Sequence, residues 1–161
     1  MDPQKTNKII DERTAIAKAE HYCAYQERSQ QEVRDKLYEW GLHANVVENI
    51  ISGLIGDNFL NEERFAKAYT QGKFKQKGWG KIKIKQGLKF KRIPDVLIKK
   101  ALQTIVYDDY LQMLQKTLAK KSAVTTEKNA YKRNYKLKQY ALSRGYEGDI
   151  ISEVLKDSEL G

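Results

Sequence analysis

Cysteine, proline and long apolar runs are what this sequence has least of. One cysteine in 161 residues cannot close an intramolecular disulfide, which points to a reducing compartment, the cytoplasm. Two prolines leave most of the chain free to be helical. No stretch of about 18 apolar residues exists to span a bilayer, and Met1 to Arg13 is polar, without the apolar core of a signal segment. The expectation is a soluble protein with no membrane partner. No Asn-Gly or Asp-Gly pair occurs, which argues against a sandwich built from hairpins.

Catalytic signatures are missing as well. There is no P-loop, no Gly-x-Gly-x-x-Gly and no Gly-x-Ser-x-Gly. His21 and His43 have no His, Cys or carboxylate at ligand spacing, and the adjacent acids Glu62-Glu63 and Asp108-Asp109 suit helix starts, where the macrodipole favours negative charge. Cys23 lies on an apolar stripe and reads as a small core residue. No catalytic residue, metal ligand or cofactor is expected, and the enzyme class is the weaker one.

What is present is a repeated apolar frame. It runs Val33, Leu37, Gly41-Leu42, Val46-Val47, Ile50-Ile51; then Ile84, Leu88, Arg92-Ile93, Leu97-Ile98, Ala101-Leu102; then Leu137, Ala141, Gly145-Tyr146, Ile150-Ile151, Val154-Leu155. The offsets are identical and the copies start 51 and 53 residues apart. Two apolar residues four apart mark one helix face, and the doublets that follow a break mark a second. Gly41 and Gly145 stand at the corner, where a positive φ costs glycine little; the second copy has Arg92 there and opens its next helix with Pro94. A further helix precedes each pair: about 11–27 with Ala15, Ile16, Ala19, Tyr22 and Cys23 inward, about 61–75 with Phe65, Ala66 and Tyr69, and about 108–121 with Leu111, Leu114 and Leu118.

The fold expected is therefore all-α: three tandem three-helix, helix-turn-helix-like repeats in an elongated, curved arrangement. A polar tail occupies 1–10 and the repeats 11–56, 57–106 and 107–161. Units this small bury little core alone and lean on their neighbours.

Charge is unevenly placed. Arg64 to Lys100 holds 13 basic residues against Asp95, Lys116 to Arg144 holds 9 against Glu127, and the remainder is net −11 in a chain of net +9. Such a field steers a polyanion toward the middle of the chain and makes its binding salt-sensitive; a solvated lysine face that keeps the protein soluble is the plain alternative. The densest part is Lys73 to Lys85. Alternation of lysine and isoleucine over Lys81 to Lys85 fits a strand by period, whereas the repeat frame places Ile84 and Leu88 on a helix and is preferred. On that helix Lys81, Lys85 and Lys89 share a face, the Gly78-Trp79-Gly80 turn precedes it, and its first amides could add an anion contact. Trp79, Phe74, Phe90, Tyr131, Tyr135 and Tyr140 could stack on unpaired bases, although aromatics at helical spacing are more often core.

The segment Asp57-Asn58-Phe59-Leu60-Asn61-Glu62-Glu63-Arg64-Phe65-Ala66-Lys67-Ala68-Tyr69, followed by Lys77-Gly78-Trp79-Gly80-Lys81-Ile82-Lys83-Ile84 and Leu88, resembles the central signature of RecX regulatory proteins. Ala24 to Val33 with Leu37 and Trp40-Gly41 is similar to that family's first repeat, and the third repeat joins by its apolar frame. The resemblance implies tandem three-helix units without catalytic activity that bind the RecA filament on DNA and restrain its growth, ATPase and coprotease function. Family members commonly have arginines after the Gly-x-Gly turn, where this chain has Lys81, Lys83 and Lys85; lysine supplies charge without the planar bidentate fork.

The surface expected to bind DNA or the filament comprises Lys73, Lys75, Lys77, Trp79, Lys81, Lys83, Lys85, Lys89, Lys91 and Arg92, with Arg64 as a surface contact or an acid-pairing anchor and Lys132, Arg133 and Lys136 from the third repeat. Asn61 reads as a helix N-cap and Phe65 as core. The expected partners are RecA filaments and single- and double-stranded DNA, met by a monomer. A helix-turn-helix transcription factor and a generic basic nucleic-acid or RNA-binding module are the competing readings. Pro94-Asp95-Val96 and Glu147-Gly148-Asp149 are poor base readers for the first of these.

Overall fold

A computed structural model describes residues 10–158. Nine helices and no strand occur among the described residues: α1 Glu12–Tyr25, α2 Gln30–Glu39, α3 Ala44–Gly56, α4 Glu62–Lys77, α5 Lys81–Phe90, α6 Asp95–Leu102, α7 Tyr107–Val124, α8 Ala130–Ser143 and α9 Gly148–Asp157. The chain is all-α, and Lys81 to Lys85 is helical as the repeat frame requires. The polar tail expected over 1–10 lies, apart from Ile10, outside the described residues.

Local chemistry sets the helix starts. Asp11 accepts the Thr14 amide at 2.7 Å, and Asn129 caps α8 through the Lys132 amide at 3.1 Å. Ser29 and Glu32 form a reciprocal capping box at α2. Asn61 accepts the Arg64 amide at 2.9 Å, as an N-cap should. The corners are left-handed in all three copies of the frame: φ is +86° at Gly41, +96° at Gly145 and +60° at Arg92. At Gly41 and Gly145 the stop is a Schellman motif, in which Leu42 donates to Leu37 O at 3.3 Å and Tyr146 to Ala141 O at 3.2 Å. Arg92 adopts the same conformation with a Cβ, a strain of roughly 1–2 kcal/mol.

The chain packs as two compact units, one taking in the chain up to Ala66 together with Lys91–Ile93, the other Lys67–Phe90 and the chain from Pro94 onward. The division runs through α4. In the first unit Ala15, Ala19, Cys23, Val33, Leu37, Val47, Ile50, Ile51, Leu54 and Leu60 form one buried cluster. In the second, the frame residues Ile84, Leu88, Ile98, Ala101, Leu137, Ala141, Tyr146, Ile151, Val154 and Leu155 are buried together with Phe74, Tyr110, Leu114 and Leu118.

Two expectations for the second unit need correction. Leu111 is half-buried, and Tyr110, not expected inward, is fully buried in its place. Its hydroxyl accepts the Lys81 amide at 2.9 Å and donates to Glu147, so the phenol enters the core with both hydrogen-bonding roles met. Phe74 is 4% exposed and stacks on Tyr110 with ring centroids 6.0 Å apart. It is a core residue and offers no face to a base.

Candidate functional site

The α5 helix presents the basic face. Ile84 and Leu88 are buried, Lys81, Lys85 and Lys89 run along the flank of that face, and all three line one cleft of about 410 Å3 between α5 and α6. Lys99 joins them from α6, and Asp95 is the carboxylate of that lining. Lys85 and Lys89 are exposed, whereas Lys81 is half-buried with its Nζ 5.0 Å from the Tyr110 ring centre.

Trp79, in the turn before α5, has two ammonium groups close to its ring. Lys73 Nζ is 4.9 Å and Lys83 Nζ 4.6 Å from its ring centre. The turn that carries it is fixed at both glycines. Gly78 has φ +65° and accepts the Tyr146 hydroxyl at 2.9 Å on its carbonyl. Gly80 meets the Gly145 corner so closely that a Cβ would fall 2.3 Å from the Gly145 carbonyl carbon. The α5 lysines are thereby held by backbone contact against the α8–α9 corner.

That contact corrects a further expectation. The first amides of α5 do not face an anion, because Lys81 N–H donates to Tyr110 and Ile82 N–H donates to Gly145 O at 2.9 Å. Burial, reinforced by the bond to Glu147, pushes the Tyr110 phenol far above its ordinary value, so it remains a neutral donor across the physiological range.

A second basic cleft, about 230 Å3, was not anticipated as a group. Lys75 and Lys77 from α4 meet Lys116 and Lys120 from α7 and Arg144 after α8, with Met113, Thr117 and Tyr140 between them. No carboxylate lines it. Lys116 and Lys120 stand one helical turn apart within a basic segment, but that spacing does not join them to Lys75, Lys77 or Arg144.

Other expected cations are occupied within the protein. Arg64 Nε donates to Glu27 at 2.5 Å, and its remaining donors reach Asn58 and the Phe59 carbonyl; it is the acid-pairing anchor of the two roles considered. Arg133 donates to the carbonyls of Thr125, Glu127 and Ser122, closing the loop before α8. Lys91 pairs with Glu32 at 2.6 Å and Lys136 with Glu127 at 3.7 Å. Arg92 and Lys132 are exposed. Of the aromatics, Phe90 is 87% and Tyr131 81% exposed, Tyr135 is exposed, and Tyr140 lies under Lys121 with Nζ 5.0 Å from its ring centre.

Lysine ammoniums over aromatic rings and around shallow clefts can attract and hold a polyanion. No group of three or more His, Cys, Asp or Glu residues capable of holding a metal occurs among the described residues, and none of their helices is long and apolar enough to cross a membrane. Fold and site together define a tandem three-helix-repeat protein with a lysine-lined surface. Models of the RecX first, second and third three-helix domains match residues 15–54, 61–102 and 108–155, and the chain belongs to the RecX family. It is 29% identical over 137 residues to the regulatory protein RecX of Halalkalibacterium halodurans, covering 85% of this chain and 52% of that protein. It is 31% identical over 134 residues to the RecX of Clostridium acetobutylicum, covering 81% and 62%. The chain thus spans about half to three-fifths of the length of these relatives. The crystal structure of RecX from Lactobacillus salivarius superposes with a TM-score of 0.84 at 25% identity, covering 93% of this chain and 97% of that one.

Proposed function

We propose that the chain is a cytoplasmic regulator of recombination and DNA repair, part of the SOS response, that binds RecA filaments on single- or double-stranded DNA. There it restrains RecA's ATPase, strand exchange and coprotease activity. It acts as a monomer and without catalysis of its own. The observation that carries this reading is the α5 face: Lys81, Lys85 and Lys89 lining one cleft beside Lys99, in a chain whose relatives are named as regulatory proteins. The Trp79 turn and the cleft of Lys75, Lys77, Lys116 and Lys120, where Arg144 donates to the Lys77 carbonyl, extend the cationic surface within the same unit. Arg64 and Arg133 take no part in contact with the filament, because their donors are used internally.

Base reading by a helix-turn-helix would place polar side chains at the start of a repeat's last helix. Here α6 starts with Asp95 and α9 with Glu147 as N-cap, which also accepts the Tyr110 hydroxyl. Acids at those positions repel phosphate, which supports filament or backbone binding over sequence reading. Co-sedimentation with RecA–single-strand filaments tests the proposal. The wild type should pellet with the filament, and the chain carrying Lys81→Glu, Lys85→Glu and Lys89→Glu should remain in the supernatant with unchanged helicity by circular dichroism. Pelleting of the triple variant at wild-type affinity would remove the α5 face from the mechanism.

A further inference from the structure

The first unit carries a cleft that the lysine-rich segments do not contribute to. Residues 1–63 are net −5, yet a cleft of about 650 Å3 between α1 and the end of α2 gathers Lys18, Arg28 and Lys36 around Tyr22, Tyr25 and Trp40. Its lining contains no carboxylate, and Ala17 is its sole aliphatic side chain. Lys36 does pair with Glu39 at 3.5 Å outside the lining.

The cations lie over the rings. The Arg28 guanidinium carbon is 3.7 Å from the Tyr22 ring centre and 5.9 Å from that of Tyr25, and Arg28 Nε is tied to the Tyr22 carbonyl at 3.0 Å, which fixes it there. Lys36 Nζ is 5.8 Å from the Tyr22 ring centre and Lys18 Nζ 5.5 Å from that of Trp40. Tyr25, in the last position of α1, is 77% exposed, so its ring serves no core.

We infer that this cleft is a binding site for unpaired nucleotides of a single strand, bases stacking on the Tyr25 and Trp40 rings while Lys18, Lys36 and Arg28 face the phosphodiester. Three features select that ligand. Flat rings beside a fixed guanidinium plane offer stacking surfaces that every base can use. Every charged side chain of the lining is a cation, which favours an anionic strand over an uncharged apolar helix. A duplex keeps its base faces stacked internally, so the rings discriminate single strands from double. The volume falls within the roughly 300–1,000 Å3 of small-ligand sites. This site does not rest on the RecA reading, since bare DNA occupies it.

The test uses the full chain and a fluorescently labelled oligo(dT), read by anisotropy. Tyr25→Ala should weaken oligo(dT) binding about fivefold or more, Tyr25→Phe should stay within about twofold, and Tyr25→Ala should leave affinity for a duplex of equal length unchanged. The exposure of Tyr25 keeps the fold intact in both variants. Trp40 and Trp79 are the two tryptophans, so in a Trp79→Phe chain saturating oligo(dT) should quench the emission of Trp40 alone. Unchanged oligo(dT) affinity for Tyr25→Ala, equal weakening on the duplex, or quenching of Trp40 by an oligoglutamate peptide but not by saturating oligo(dT) would each overturn the site.

Discussion

Close ion pairs fix the basic residues of the first unit outside its α1–α2 cleft, whereas those of the second unit are held mainly over rings or left exposed. In the first, Arg34 meets Glu48 at 2.6 Å, Arg64 meets Glu27 at 2.5 Å and Lys91 meets Glu32 at 2.6 Å. In the second, Lys73 and Lys83 lie over Trp79, Lys81 over Tyr110 and Lys121 over Tyr140, and Lys85 and Lys89 are exposed along a cleft. A carboxylate neutralises a cation and fixes it. A ring holds it in place with its charge still available to an incoming anion. Net charge treats both alike, so the density of lysine indicates where a polyanion is drawn but not which residues meet it.

The sharpest way to test that contrast is to neutralise the α5 face. Lys81→Ala, Lys85→Ala and Lys89→Ala together should lower the slope of log affinity against log salt on duplex DNA by about 3, near one for each phosphate left without its lysine, with thermal stability essentially unchanged. A titration of DNA binding at several salt concentrations, beside a melting curve, reads both. Arg64→Ala should do the converse: stability falls by about 1–2 kcal/mol, because Glu27 and the Asn58 and Phe59 carbonyls lose their donor, while the salt slope stays at the wild-type value. Urea denaturation checks the first half. If Arg64→Ala instead flattened the slope, the division between anchoring and binding cations would be wrong.

Arg92 is exposed at a left-handed corner. Replacing it with glycine should stabilise the chain by about 0.5–1 kcal/mol, since relief of the left-handed strain exceeds the added chain entropy. Chemical denaturation measures this, and a loss of stability would mean that the Arg92 side chain holds the corner in some other way. Arg34→Ala should have the smallest effect, within about 0.5 kcal/mol at neutral pH, because Glu48 is exposed and the pair is screened. The bond from Arg34 holds the Glu48 carboxyl below its ordinary 4.5. Its contribution is therefore complete above that pH and is lost as pH falls through the depressed value, so wild type and Arg34→Ala should converge in acid. Parallel melting curves from pH 7 to pH 3 would show it.

How much of this is legible in the sequence follows the range of the interaction. The apolar frame is local: residues four apart, a corner and two doublets, and it identifies the helix pairs, the left-handed corners at Gly41 and Gly145 and the buried frame positions, while the same conformation at Arg92 is not legible in that residue type. Asn61 as a cap and Cys23 as core, at 7% exposure, are equally local. Tyr110 is not. Its place in the core depends on partners 29 and 37 residues away, and helical periodicity assigns Leu111 to the same face equally well. Long range also hides the engagement of the α5 amides and the close approach of Gly80 to Gly145. For the candidate site, the face of Lys81, Lys85 and Lys89 follows from four-residue spacing, whereas the use of Arg64 and Arg133 as internal donors depends on where distant carbonyls fall. Lys99 and the Lys116, Lys120 and Arg144 group become visible as site residues only when α5 meets α6 and α4 meets α7 and α8.

The central claim is that the second unit's basic surface regulates RecA on DNA. It is tested most directly by the single-strand-dependent ATPase of RecA, with this chain titrated from well below one molecule per RecA and at two salt concentrations. The account predicts inhibition at substoichiometric ratios, weaker at the higher salt and absent for the chain carrying glutamates at Lys81, Lys85 and Lys89. An ATPase that is unaffected at every ratio, while the chain still binds bare DNA in a salt-sensitive way, would contradict it and leave a basic nucleic-acid-binding module.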